Sequence, residues 1–219
     1  FVVSMVATNI GYPSRKSYAE ALEAFARFQC NHPEAILYLH TNRNPNKKGI
    51  WLDMLAQQLG IPKEAVRFID QVEYALGLPD SYVAEVYQFS DVLLAPSMGE
   101  GFGLPIAEAQ ACGTPVITQN VTSMAELTVN GVAVEPLQRM YTLLNAWQYV
   151  ASIERVHEAL ETVYGWSEDE RRTNSERGVR FIQNNYSWPV VEREYWQPLF
   201  ERIEGEIKAK ENGRVVVPV

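Results

Sequence analysis

The 219-residue chain is short of cysteine, histidine and positive charge, and each shortage removes a class of function. Its two cysteines, Cys30 and Cys112, stand far apart in apolar contexts. They read as buried free thiols in a reducing compartment, not as a disulfide framework. The three histidines, His32, His40 and His157, show no metal-ligand spacing, so no metal site is expected. Lys and Arg number 19 against 27 Asp and Glu, and 19 − 27 leaves a net charge of −8. That balance argues against nucleic-acid binding and against broad adhesion to anionic lipid, while a local basic patch stays open. No apolar run approaches the roughly 20 residues of a membrane-spanning helix. Signal-peptide grammar is also missing, because the chain opens on Phe1 and runs straight into a strand-like segment. This reads as a cytoplasmic domain cut from a longer protein just before a strand.

What the chain does have is one organising stretch, residues 92–109. Val92–Ala95 is an apolar run short enough for a buried strand. Gly99, Gly101 and Gly103 follow in alternation, and a helical pattern opens with Pro105 at its expected first position. A strand, a glycine loop and a helix start form a ready anion or nucleotide site, since glycines allow close backbone approach and the first helical N–H groups point outward. The Lys–Ser/Thr pair of a phosphate-binding P-loop is absent, and the glycine spacing is not that of the dinucleotide fingerprint. No Gly-x-Ser-x-Gly nucleophile elbow occurs.

The rest of the chain alternates strand and helix patterns. Strands are expected at 1–8, 35–39, 66–69, 92–95, 115–118 and 131–134, with helices at about 18–31, 50–59, 81–89 and 105–112 and a short helical turn at 124–127. Residues 71–79 read as a loop, and 136–149 as aromatic and irregular. Later helices are expected at 153–164, from a Ser167/Glu170 capping box to about 183, and over 188–207. The alternation implies right-handed βαβ units and a Rossmann-like parallel sheet flanked by helices, an α/β fold. The domain is expected to span 1–204, with 205–219 as a tail that need not be ordered.

Four residues carry the candidate chemistry. Glu108 admits two readings: charge–dipole pairing near a helix start, worth about 0.3–1 kcal/mol, or a carboxylate that binds a ribose diol. Glu100 sits in a loop whose turn needs no charge. Arg15 and Lys16 stand at the start of the first helix, where the dipole disfavours cations, so an anion that outweighs the cost is expected. A diphosphate between them and the amides of Gly101, Phe102, Gly103 and Leu104 would satisfy both halves. Tyr12, Trp51, Tyr74 and Trp147 could stack on a base, and none is assigned that role.

The segment 96–117, Pro-Ser-Met-Gly-Glu-Gly-Phe-Gly-Leu-Pro-Ile-Ala-Glu-Ala-Gln-Ala-Cys-Gly-Thr-Pro-Val-Ile, strongly resembles the C-terminal donor-binding domain of GT-B fold retaining glycosyltransferases of group 1, family 4. Glu100 and Glu108, with seven residues between them, match that family's E-x7-E motif. Ser14–Ser17 followed by 21–25 looks like its donor-phosphate segment. The resemblance covers about residues 1–200.

It implies a hexosyltransferase with no cofactor and no metal, whose donor substrate is a nucleotide diphosphate sugar. Glu108 would bind ribose, and Glu100 would be the catalytic carboxylate that contacts the donor sugar. Gly101, Phe102, Gly103 and Leu104, with Lys16 and Arg15, would hold the diphosphate, and the loop at 69–74 would meet the base. An acceptor (sugar, lipid or protein) and an N-terminal GT-B domain of the same protein are the implied partners, with cytoplasmic or membrane-peripheral location. The family usually carries Gly-Arg at the end of the first strand, where this chain has Val6–Ala7–Thr8–Asn9. Two alternatives stay open: a sugar-nucleotide epimerase of the same architecture, and a non-catalytic nucleotide-binding module.

Overall fold

A computed structural model describes residues 1–11, 13–44 and 49–211 of the chain. Tyr12, residues 45–48 and the tail residues 212–219 lie outside the described residues. Six parallel strands form the main sheet: β1 (Val2–Val6), β2 (Ile36–His40), β3 (Val66–Phe68), β4 (Val92–Ala95), β5 (Val116–Gln119) and β6 (Val132–Val134). Their order is β3-β2-β1-β4-β5-β6, with Val3 opposite Leu37 on one side and Val92 on the other. The order reverses direction between β1 and β4, which is the switch point at which such sheets bind ligands beyond their strand ends.

The helices are α1 (Tyr18–Asn31), α2 (Leu52–Gln58), α3 (Gln71–Leu76), α4 (Asp80–Phe89), α5 (Leu104–Ala111), α6 (Thr122–Leu127), α7 (Ile153–Tyr164) and α8 (Glu168–Tyr186). Strand side chains alternate between the two faces. Val3, Met5, Leu37, Leu39, Val92 and Leu94 face α1 and α7, where Leu22, Phe25 and Phe28 meet Val156, Leu160 and Val163. The opposite phase, Val2, Val6 and Tyr38, meets Tyr74 of α3 with Tyr82 and Val86 of α4. Phe25 and Phe28 are wholly buried, and each such ring contributes about 1.5–3 kcal/mol. This double winding fixes the carboxyl ends of β1 and β4 side by side.

Several expectations need correction. Residues 71–76 are helical, not a loop: Asp70 caps α3 by accepting from the Val72 and Glu73 amides, and Gly77 ends it at φ 87°. Residues 138–150 are not irregular but form an antiparallel hairpin, β7 (Gln138–Tyr141) and β8 (Trp147–Val150). Pro105 is the second residue of α5, because Leu104 opens it and Gly103 at φ 95° caps it. Cys30 is exposed and Cys112 half-buried, so both thiols are free but neither is buried. The Ser167/Glu170 capping box forms as expected, each side chain accepting from the other's amide.

The chain divides into two compact units, 1–179 and 180–219. The second, taken by itself, continues α8 into α9 (Trp188–Val191), a π-helical turn over Glu192–Trp196 and α10 (Gln197–Glu211). Residues 205–211, expected as tail, are thus helical. Among the described residues, no helix is long and apolar enough to cross a membrane.

Candidate donor site at the sheet switch point

The loop after β1 and the loop after β4 are stitched together. The Met98 amide donates to the Arg15 carbonyl at 2.8 Å, and the Arg15 guanidinium donates to the Gly99 carbonyl at 2.6 Å. Both expected cations close on the loop carboxylate: Arg15 Nη1 lies 3.2 Å from Glu100 Oε2, and Lys16 Nζ lies 2.5 Å from Glu100 Oε1. The anion that compensates them is therefore internal. They also lie in the turn before α1, not on it, since Ser17 takes the position just before the first helical residue, Tyr18.

Glu100 is 11% exposed. Burial works against its charge, but hydrogen bonds from Lys16 and Ser97 and the charges of Lys16 and Arg15 win, so its pKa is lowered. The backbone around it is held by the Thr122 hydroxyl, which accepts from the Glu100 amide, and by the Ser123 hydroxyl, which donates to the Glu100 carbonyl. Two cations against one carboxylate leave this corner with one excess positive charge.

Directly beside it the helix α5 begins. Its first amides, at Gly103 and Leu104, have no carbonyl in a preceding turn to bond, and Pro105 brings no N–H at all. Gly103 must be glycine, because its φ is positive and a Cβ there would press on Ile106 Cδ1 at 3.1 Å. Gly101, Phe102 and Leu104 are exposed. A small recess under the loop is lined by Val6, Ala7, Lys16, Glu100, Gly103 and Pro105, among others; of the expected diphosphate-binding residues Lys16 and Gly103 line it, and Arg15, Gly101, Phe102 and Leu104 do not.

Glu108 is the fifth residue of the eight-residue α5, just beyond the first turn, where charge–dipole pairing is weakened. Its carboxylate is exposed, and Oε2 accepts a 2.8 Å hydrogen bond from the Tyr87 hydroxyl of α4. Tyr87 is 1% exposed; burial and then the Glu108 charge push its pKa upward, so it stays a donor. Sequence reasoning missed Tyr87, Thr122 and Ser123, whose roles appear only when distant segments meet. The segment 69–74, expected to meet a base as a loop, is instead the Asp70 cap and the first turns of α3, with Tyr74 edge-on to His40. A separate cleft of about 930 Å³ runs along the free edge of β3, and no glycine-loop residue lines it. Among the described residues no His, Cys, Asp and Glu cluster fits a metal ion.

The arrangement is a Rossmann-like α/β domain with a glycine loop at the sheet switch point. The family model for group 1 glycosyl transferases matches residues 2–158, and the chain belongs to that family. A D-inositol 3-phosphate glycosyltransferase of Geodermatophilus obscurus is 36% identical over 118 residues, which is 51% of this chain and 25% of that protein. The matched part thus spans a quarter of that relative's length. In fold, the chain resembles the C-terminal domain of a group 1 family glycosyl transferase from Francisella tularensis, with TM-score 0.64 and 20% identity over 86% of this chain and 87% of that one. It also resembles the Anabaena protein HepE, solved with UDP and glucose, with TM-score 0.67 and 16% identity over 92% of this chain and 48% of that one.

Proposed function

We propose that this chain binds a nucleotide diphosphate sugar at the β1/β4 switch point and supplies the donor half of a retaining glycosyltransferase. The observation that carries the reading is the corner where Arg15, Lys16 and Glu100 meet the start of α5, with one excess positive charge beside unbonded helix amides. In this reading Lys16, Arg15 and the backbone at Gly101–Leu104 hold the diphosphate. When the sugar leaves, charge grows on the diphosphate, and preorganised cations and amides stabilise that charge without rearranging.

Glu108, held by Tyr87 through one oxygen, offers the other to the ribose hydroxyls. Glu100, kept ionised and fixed by three partners, holds the donor sugar near the reacting bond. No cofactor or metal enters this scheme. The acceptor comes from outside this domain, and the N-terminal domain of the full-length enzyme is the proposed source of its site. The relative's name and the UDP and glucose bound to HepE support the donor class.

Isothermal titration of the 219-residue chain against UDP, GDP and ADP and their sugars tests the proposal. Binding of at least one nucleoside diphosphate, weakened about 10-fold or more by Glu108→Ala, is expected. No binding across the panel would reject it.

A further inference from the structure

The hairpin β7–β8 exposes an apolar tip that the fold leaves uncovered. Leu143 is 102% exposed and Leu144 71%. One step back along the hairpin, Tyr141 and Trp147 pair edge to face at 5.4 Å. Behind them the Arg139 guanidinium lies over the Trp147 ring at 4.4 Å. The order from the tip is therefore aliphatic, aromatic, cationic.

We propose that this tip inserts into the surface of a bilayer that carries anionic lipid. The layering matches the lipid–water boundary, where leucines enter the acyl region, Trp and Tyr sit at headgroup depth and a guanidinium stays with the phosphates. The local charge suits this partner. Residues 136–152 contain no Asp or Glu and one Arg, within a chain of net charge −8. The acidic bulk of the protein would be repelled by such a surface, and this segment brings no carboxylate of its own to add to that repulsion.

The root of the hairpin is rigid. The Tyr149 amide donates to the Met98 carbonyl at 2.9 Å, Gln119 donates to the Tyr149 carbonyl at 2.9 Å, and Ala151 is 1% exposed. Strands of four residues place the tip about 14 Å from that root. A surface held by the tip would lie at a fixed height above the loop that begins at Met98. The inference does not depend on the donor reading.

The test is co-sedimentation of the 219-residue chain with vesicles of phosphatidylcholine plus phosphatidylglycerol, and with pure phosphatidylcholine. The chain should bind the mixed vesicles more strongly. Leu143→Asp with Leu144→Asp should lower that binding about 10-fold or more, and Arg139→Gln should weaken it on mixed vesicles but not on pure phosphatidylcholine. All three positions are on an exposed hairpin, so unchanged circular dichroism is the folding control. If the double variant does not fold, quenching of the native chain by brominated lipid takes its place, and Trp147→Phe should remove most of the quenched signal. Absence of vesicle binding, equal binding by the double variant, or self-association through the tip without vesicle binding would each overturn the proposal.

Discussion

The Tyr87 hydroxyl donates to Glu108 Oε2 at 2.8 Å, linking a buried phenol on α4 to an exposed carboxylate on α5. Tyr87 is itself fixed at its backbone, where its carbonyl accepts from the Thr114 hydroxyl at 2.7 Å. A surface glutamate would otherwise sample many rotamers, and this bond leaves it with one free oxygen in one place. Binding energy that would go into ordering the side chain is then available to the ligand.

Tyr87→Phe should accordingly weaken nucleoside diphosphate binding by about 3–10-fold, within the worth of a hydrogen bond to a charged group. In a Glu108→Ala background the same change should have little effect, since the two act as a unit. The 2′-deoxy nucleotide should bind the native chain worse than the ribonucleotide and bind Glu108→Ala about equally. Titration calorimetry on the four proteins gives the coupling, and independent, additive losses would detach Tyr87 from the ligand site.

Lys16→Ala removes the better-buried cation of the corner, 15% exposed against 41% for Arg15. A nucleoside diphosphate should lose affinity by about 10-fold or more, while the matching nucleoside should hardly change. Native affinity for the diphosphate should also fall with added salt, because the contact is ionic and reaches solvent. Equal affinities for nucleoside and diphosphate in the native chain would remove the anion site.

The alternation of strands and helices was legible because hydrophobic periodicity reports burial, and the glycine loop because its strand and helix flanks are local. What escaped was short or tertiary. Six-residue α3 has no buried residue and so no stripe to read. The β7–β8 hairpin turns through Thr142–Ala146 without Gly or Pro, and only Asn145, at φ 53°, hints at a turn. Arg15 and Lys16 do read as cations in need of an anion, but Glu100 lies 84 residues beyond Lys16 in sequence. No local pattern shows a pairing made by two adjacent strand ends.

Glu100 gives the stability of the chain a pH dependence of known sign. Its folded pKa is lowered, so it contributes stability that is present above its unfolded value, near 4.3, and is lost as pH falls through the folded value. Glu100→Gln should cost about 1–3 kcal/mol at pH 7, by leaving two cations without their partner. Urea unfolding at a series of pH values should show the gap between native and variant closing below about pH 4. A gap that stays constant into acid would mean that the ion pairs add nothing to the fold.

Two glycines, Gly131 at the amino end of β6 and Gly101 in the glycine loop, should respond in opposite ways to the same change, and the contrast separates fold from function. Gly131 runs so close to β5 that a Cβ would lie 1.9 Å from the Val116 carbonyl oxygen and 2.6 Å from its nitrogen. Those are strand backbone atoms and cannot turn aside as a side chain can. Gly131→Ala must therefore separate β5 from the start of β6, which should cost about 3 kcal/mol or more and lower the melting temperature by about 5 °C or more. At Gly101 a Cβ would meet nothing within 4 Å, and its φ is not positive, so the folded chain accepts alanine there. Its exposed backbone lies where the diphosphate is proposed to approach, and a methyl group would hold that ligand away. Gly101→Ala should leave the melting temperature within about 1 °C of native and lower diphosphate affinity by about 10-fold. Thermal melts paired with titrations of both variants check this, and a Gly101→Ala chain that binds as tightly as the native one would place the ligand elsewhere.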